Sequence, residues 1–148
     1  MNEPGWRKMS ERPALDLGKF LRVDAHTVRT PRGEVVDVWP VVTTPDYANV
    51  LAVTEDGRFV CLRQDKYLLP GIFLSAPGGY LEPGEDPLAA AQRELREETG
   101  FVAPDWTPLG RFMVDSNRGC GHAHLFLARG AVRSADQVVD DLETQSVT

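Results

Sequence analysis

Hydrophobic and β-branched residues recur along the chain in short runs separated by turn residues, a pattern that predicts mostly strands. After a polar N-terminal lead, residues 19–30 and 34–42 flank the turn signal Pro31-Arg32-Gly33 and predict a hairpin. Residues 48–56 and 58–65 flank Asp56-Gly57, a dipeptide that favours tight hairpin turns, and predict a second hairpin. Further strands are expected at residues 71–77, 107–115 and 122–132.

One segment, residues 86–99, has helical periodicity instead. Its apolar residues fall on one side at i, i+3 and i+7: Leu88, Ala91 and Leu95. Asp86 suits the N-cap, Pro87 the first helical position and Gly100 the left-handed residue after the end. The sequence therefore predicts a mixed sheet packed against at least one helix, which is an α+β fold or a layered α/β/α sandwich.

Composition narrows the class of protein. A chain of 148 residues is long enough for one domain with its own core, and a net charge of −6 argues against a nucleic-acid binder. No apolar run approaches the roughly 20 residues that a membrane helix needs, so no membrane partner is expected. The N-terminus lacks the apolar core of a secretory signal, and Cys61 and Cys120 form no CxxC pair. We therefore expect a cytoplasmic protein with reduced thiols.

The predicted helix carries a cluster of acids. Glu94, Glu97 and Glu98 stand at i, i+3 and i+4, so their side chains share one face and repel one another. Carboxylates held together in this way are ligands that Mg²⁺ or Mn²⁺ prefers. The alternative is a solvated charged face on which Arg93 and Arg96 balance the acids.

The residues before the helix favour the metal interpretation. Gly78 and Gly79 lack a Cβ atom, so a backbone carbonyl can approach the helix face closely. Glu85, one residue before the cap, could pair with Arg93 and hold the loop against the helix. This pairing is a hypothesis about geometry that the spacing alone does not prove.

These residues carry a resemblance. Gly79, Glu85 and the run Arg93–Phe101, with five and seven residues in the two gaps, resemble the Nudix box GX5EX7REUXEEXGU without a departure, where U is a bulky apolar residue. The resemblance implies a fold in which the box forms a loop–helix–loop against a mixed sheet. It also implies metal-dependent hydrolysis of a nucleoside diphosphate linked to another moiety.

The resemblance further implies roles for individual residues. The implied metal ligands are Glu94, Glu97, Glu98 and the backbone carbonyl of Gly78, with Glu97 and Glu98 counted as catalytic. Gly79, Glu85, Arg93 and Gly100 form the structural part of the box. In related pyrophosphatases an acid from a C-terminal loop serves as general base; here that loop contains Asp140, Asp141 and Glu143. Glu143 is the residue that we predict for this role, and the alternative is a solvated acidic loop.

Segments outside the box are similar to the ADP-ribose and ADP-sugar pyrophosphatases: Arg63-Gln64, residues 106–112 and residues 124–130. In that branch the N-terminal strands pair with a second subunit, so the resemblance implies a homodimer joined through residues 1–43. Ser116 stands where those enzymes carry a proline, which favours a broader specificity among nucleoside diphosphate sugars. The expected substrate-binding residues are Arg63, Tyr67 and Arg118.

Several alternatives stay open. Cys120, His122 and His124 form a CxHxH pattern that could bind zinc but lacks an evident fourth ligand. The substrate could instead be a dinucleoside polyphosphate or an oxidised nucleotide, or the domain could be a catalytically silent Nudix ligand sensor. The fold that the resemblance implies also has a second long helix, which the sequence lacks, so we expect a truncated C-terminus.

Overall fold

The computed structural model describes residues 5–138 and 145–148. The chain divides into two compact units. The first consists of the described residues of Met1–Pro45 together with Met113–His122, and the second of those of Asp46–Phe112 together with Ala123–Thr148.

The first unit contains an antiparallel sheet of β1 (Arg7–Asp16), β2 (Arg22–Arg29) and β3 (Val35–Thr43). The predicted hairpin over residues 19–42 is confirmed as β2 and β3. The polar lead before it forms a strand that the sequence did not predict, because β1 pairs with β2 along most of its length. All ten residues of β1 are exposed, so its backbone pairing leaves no hydrophobic alternation in the sequence.

The second unit contains the mixed sheet that the sequence predicts. Strand β4 (Tyr47–Val53) runs parallel to residues 123–129 of β11 (Gly119–Arg129) and antiparallel to β5 (Phe59–Val60) and β8 (Gly78–Tyr80). A smaller antiparallel sheet has the order β13–β6–β7, and β9 pairs with β12. The bounds of the remaining strands are β6 (Leu62–Asp65), β7 (Ile72–Ser75), β9 (Phe101–Val102), β10 (Asp105–Asp115), β12 (Val132–Arg133) and β13 (Gln145–Val147).

Two predicted strands are interrupted in the structure. The strand expected over 58–65 breaks at Cys61, whose backbone N–H donates to Thr148 O at 3.0 Å and whose carbonyl accepts from Thr148 N at 2.9 Å. This exchange separates β5, in the main sheet, from β6, in the small one. The strand expected over 122–132 ends at Arg129, because Gly130 takes a left-handed conformation with φ 69°.

The single helix among the described residues is α1 (Pro87–Thr99), and its predicted ends are confirmed. The Asp86 carboxylate accepts hydrogen bonds from the backbone N–H groups of Leu88 and Ala89 at 3.0 and 3.1 Å. Gly100 ends the helix at φ 73°, and its N–H donates to Arg96 O at 2.9 Å. A Cβ atom on Gly100 would stand 2.2 Å from Ala135 O, so the close approach of that segment also requires glycine.

The core of the second unit lies between α1 and the mixed sheet. Its fully buried members are mostly alanines, which lets the helix lie close to the strands: Ala48, Ala52, Ala90, Ala91 and Ala128, together with Val50 and Leu95. Phe126 belongs to the same cluster and meets Trp106 edge to face. This packing confirms the α+β class. Among the described residues, no helix has the length and apolar character needed to cross a membrane.

An ion pair joins the loop before α1 to the helix itself, as the sequence predicts. Arg93 Nε donates to Glu85 Oε1 at 2.9 Å and Arg93 Nη2 donates to Glu85 Oε2 at 3.0 Å, which makes the pair bidentate. Glu85 Oε2 also accepts from the backbone N–H of Glu82 at 2.9 Å. These bonds, those from Arg93 first, lower the pKa of Glu85 to about 2.

We expect Glu85→Gln to lower the free energy of unfolding by about 2 kcal/mol at pH 7, the range for hydrogen bonds to a charged group. The pKa of Glu85 is lower in the folded than in the unfolded state, so its contribution is complete above about pH 4.5 and is lost toward about pH 2. The stability difference between wild type and variant should therefore shrink across that interval. Urea denaturation followed by tryptophan fluorescence at pH 7, 5, 4 and 3 measures it.

Glu55→Gln is the matched control, since Glu55 is an exposed acid in the turn between β4 and β5. It should be close to wild type at every pH. Equal stabilities of the Glu85→Gln and Glu55→Gln proteins at pH 7 would contradict a stabilising role for the Glu85–Arg93 ion pair.

Candidate active site

The acids of the box line a cavity in the second unit with a volume of about 800 Å³. That volume lies within the range of small-molecule sites. Side chains and glycines from α1, from β8 and from segments outside the box form its wall: Tyr47, Lys66, Gly78, Gly79, Tyr80, Arg93, Glu94, Glu97, Glu98, Val138 and Gln145.

Glu94 is more deeply buried than Glu97, with 13% against 40% of the side chain accessible. A Cβ atom on Gly79 would stand 2.5 Å from Glu94 Oε1, so the absence of a side chain there makes room for the carboxylate. Arg93 Nη1 donates to Glu94 Oε1 at 2.7 Å. Burial nevertheless raises the pKa of Glu94 above its ordinary value, because the charge is poorly solvated at this position.

Glu97 and Glu98 have different partners. Arg93 Nη1 donates to Glu97 Oε2 at 3.3 Å, so one guanidinium contacts both Glu94 and Glu97. Glu98 Oε2 accepts from the backbone N–H of Gly78 at 2.7 Å. The glycine is required there as well, since a Cβ atom on Gly78 would meet Ala48 O at 2.1 Å. The Gly78 backbone therefore does approach the helix face, and the contact that it makes is through its N–H.

Arg93 contacts Glu94 and Glu97, and Arg96 Nη2 lies 4.0 Å from Glu97 Oε1, so both arginines balance acids of this cluster. Across residues 5–138 and 145–148, no three side chains of His, Cys, Asp or Glu are arranged to hold a metal ion. In the predicted zinc pattern, Cys120 and His122 belong to the first unit and His124 to the second. The His124 ring lies with Nε2 3.3 Å from Asp46 Oδ2, an oxygen that is also 3.5 Å from Arg111 Nη2.

The three predicted substrate-binding residues are not among those that line this cavity. Arg63 is exposed on β6, and Tyr67 is fully exposed at 100% of its surface. Arg118 lies in the first unit, where its Nη1 donates to Asp115 Oδ2 at 3.0 Å and it lines another cavity with Trp39. Lys66, the residue before Tyr67, lines the acidic cavity instead.

Five residues that line the cavity were not predicted from the sequence: Tyr47, Lys66, Tyr80, Val138 and Gln145. Lys66 had a usable signal, since it is a cation close to the segment similar to the pyrophosphatases. Gln145 had none, because its position depends on the pairing of β13 with β6 over a long sequence separation. The predicted base Glu143, with Asp140 and Asp141, lies outside the described residues.

Comparison with known proteins supports the resemblance that the Nudix box carries. The family model described as NUDIX domain matches residues 43–147, more than half of the chain. The ADP-ribose pyrophosphatase of Bacillus subtilis (strain 168) is 33% identical over 111 residues, which are 75% of this chain and 60% of that protein. The ADP-sugar pyrophosphatase of Mus musculus is 27% identical over 111 residues, or 68% of this chain and 50% of that protein.

A solved structure titled as an ADP compounds hydrolase shares the fold, with a TM-score of 0.78 over 97% of this chain and 77% of that one at 18% identity. The chain spans about three fifths of the length of the first curated relatives that it matches. Because the family model covers residues 43–147 and the box is intact from Gly79 to Phe101, this chain belongs to the Nudix family.

Proposed function

We propose that this protein hydrolyses the diphosphate bond of nucleoside diphosphate sugars such as ADP-ribose, in a reaction that depends on Mg²⁺ or Mn²⁺. The products are a nucleoside monophosphate and a sugar phosphate. The observation that carries the proposal is the cavity wall on which Glu94, Glu97 and Glu98 lie together in a member of the Nudix family. Its similarity to an ADP-ribose pyrophosphatase and an ADP-sugar pyrophosphatase supports the substrate class.

The chemistry of the donor set fits a divalent metal ion. Carboxylate oxygens are the ligands that hard cations prefer, and Nudix hydrolases generally use such a metal. The raised pKa of Glu94 marks a carboxylate whose negative charge a cation would stabilise. Glu97 is more exposed than Glu94, with 40% against 13% of the side chain accessible, so it has room to turn away from Arg93. We therefore propose Glu94, Glu97, Glu98 and the backbone carbonyl of Gly78 as the groups that hold the metal.

A bound divalent metal ion would polarise the phosphoryl oxygens and lower the pKa of the attacking water. Glu97 lines the cavity and is more exposed than Glu94, and we propose that its carboxylate accepts a hydrogen bond from that water and orients it. Glu98 is held in place by the Gly78 N–H and completes the catalytic pair. Glu143 stays a predicted general base.

Lys66 supplies positive charge where the substrate needs it. A diphosphate is repelled by a wall of three carboxylates unless cations face its phosphoryl oxygens. Lys66 lies on the same cavity as the acids, and we propose it as a phosphate-binding residue. The assignments of Arg63, Tyr67 and Arg118 to substrate binding stay predictions that no contact with this cavity supports.

We also propose a symmetric homodimer joined through the first unit. That unit exposes many large apolar side chains, more than a monomeric surface usually carries on one small sheet: Trp6, Met9, Leu15, Leu17, Phe20, Val35 and Val38. Trp6 and Trp39 pack against each other there, with ring centroids 5.1 Å apart and ring planes tilted by 55°. A second copy would cover such a surface and remove the hazard of an uncovered sheet edge.

The substrate proposal predicts comparable kcat/KM values for ADP-ribose and ADP-glucose with Mg²⁺, and much lower values for 8-oxo-dGTP, FAD and a dinucleoside polyphosphate. Chelation of the metal should abolish turnover. A preference for ADP-ribose over ADP-glucose above about 100-fold, or about 2.7 kcal/mol of transition-state discrimination, would contradict broad sugar specificity. A preference above about 100-fold for 8-oxo-dGTP over ADP-ribose would contradict the proposed class of substrate.

The dimer proposal predicts that the double variant Val35→Lys/Val38→Lys is monomeric by light scattering at micromolar concentration, where the wild type is dimeric. Two charges on these exposed side chains would oppose burial in an interface. Val132→Lys is the control, since Val132 is similarly exposed in the second unit. A monomeric wild type, or full activity after deletion of residues 1–43, would overturn the proposal.

A further inference from the structure

A buried glutamine links the small sheet to the acidic cavity. Gln64 on β6 is only 5% exposed, and both polar atoms of its amide are bonded. Its Nε2 donates to Gln145 Oε1 at 2.6 Å, and its Oε1 accepts from Ser75 Oγ at 3.1 Å. The three side chains come from three neighbouring strands, β13, β6 and β7.

In the structure Gln145 presents its amide oxygen to Gln64. The Ser75 hydroxyl donates to the Gln64 oxygen, so the Gln64 nitrogen is the atom that turns toward Gln145. The Gln145 oxygen accepts that bond. Its amide nitrogen, which can only donate, is therefore the atom left to meet a ligand. Gln145 is partly exposed and lines the acidic cavity.

The strand pairing does not require this network. Gln145, Ser146 and Val147 already pair with β6 through the backbone, and Thr148 exchanges two backbone bonds with Cys61. A buried amide costs desolvation free energy that an apolar side chain would not, and Leu62 fills the neighbouring buried position on β6. A satisfied polar network in such a place holds one specific arrangement of its members.

Gln145 lines a cavity whose wall is rich in acceptors. Carboxylates of Glu94, Glu97 and Glu98 contribute negative charge, so a bound phosphate needs donors from elsewhere on the wall. We infer that the Gln145 amide nitrogen donates a hydrogen bond to a phosphoryl oxygen of the ligand, and that Ser75 and Gln64 hold it in that orientation. Gln145 is thus a substrate-binding residue, and Gln64 and Ser75 are positioning residues. The inference rests on the proposed diphosphate substrate and adds residues that lie outside the box.

Gln145→Glu separates the ligand role from a structural one. The carboxylate can still accept the bond from Gln64 Nε2, so the network and the strand are kept, but it presents an acceptor to the phosphate instead of a donor. Gln145→Met removes the donor while keeping length. For ADP-ribose with Mg²⁺ we expect KM to rise about tenfold in Gln145→Met and further in Gln145→Glu, with kcat within about threefold of wild type.

The Kd of ADP, measured by calorimetry with Mg²⁺, should rise by the same factors as KM. Gln64→Met should raise KM less than Gln145→Met does, and the double variant should show no further increase, because Gln64 acts through Gln145. Gln92→Met, the same change at an exposed glutamine of α1, is the control and should leave KM unchanged. Melting temperatures of the Gln145 variants are expected to stay within a few degrees of wild type.

Two failures can be told apart. A wild type that hydrolyses ADP-ribose while Gln145→Met and Gln145→Glu keep its KM and its Kd for ADP would overturn the inference alone. A wild type that neither hydrolyses ADP-ribose nor binds ADP would overturn the proposed function and the inference with it.

Discussion

The arrangement of the site depends on one guanidinium. Arg93 makes a bidentate pair with Glu85 in the loop, donates to Glu94 and Glu97 on its own helix, and contacts the carbonyl oxygen of Tyr80 at 3.3 Å through Nη2. Loop, helix and strand β8 are therefore held by the same side chain. Because Arg93 also raises the local positive charge, two acids that would repel each other can occupy adjacent turns of α1. These contacts also raise the pKa of Arg93 above its ordinary value, its bond to Glu85 contributing most.

The glycines next to this ion pair position the acids of the cavity. Gly79 leaves room for the Glu94 carboxylate, and Gly78 brings a backbone N–H to Glu98 while passing close to Ala48. The acids therefore line a cavity. Their mutual repulsion destabilises the helix, and a bound cation would relieve that repulsion. Burial raises the pKa of Glu94, so further positive charge beside it would stabilise the carboxylate.

The sequence predicted those features that depend on residues close together in the chain. The caps Asp86 and Gly100, the apolar stripe of α1 and the Glu85–Arg93 pair depend on residues close in sequence, and each is confirmed. Strand β1 was missed because its side chains are all exposed and only its backbone is paired. Lys66 was missed although it is a cation close to the segment similar to the pyrophosphatases. Gln145 was missed because it reaches the cavity on β13, which pairs with β6 across about half the chain. A long-range pairing of this kind has no signature in the spacing of residues.

Direct measurement of Mn²⁺ binding tests the central claim, that the acids of α1 exist to hold a divalent cation. Electron paramagnetic resonance titration of wild type and of the glutamine variants of Glu94, Glu97 and Glu98, alongside ADP-ribose turnover, gives affinity and activity together. The wild type is expected to bind Mn²⁺. Each of the three variants should lose at least about tenfold in Mn²⁺ affinity and more in turnover, and Glu55→Gln should match the wild type. A wild type that binds no Mn²⁺ with nucleotide present would contradict the account, as would a Glu98→Gln protein with unchanged affinity and turnover.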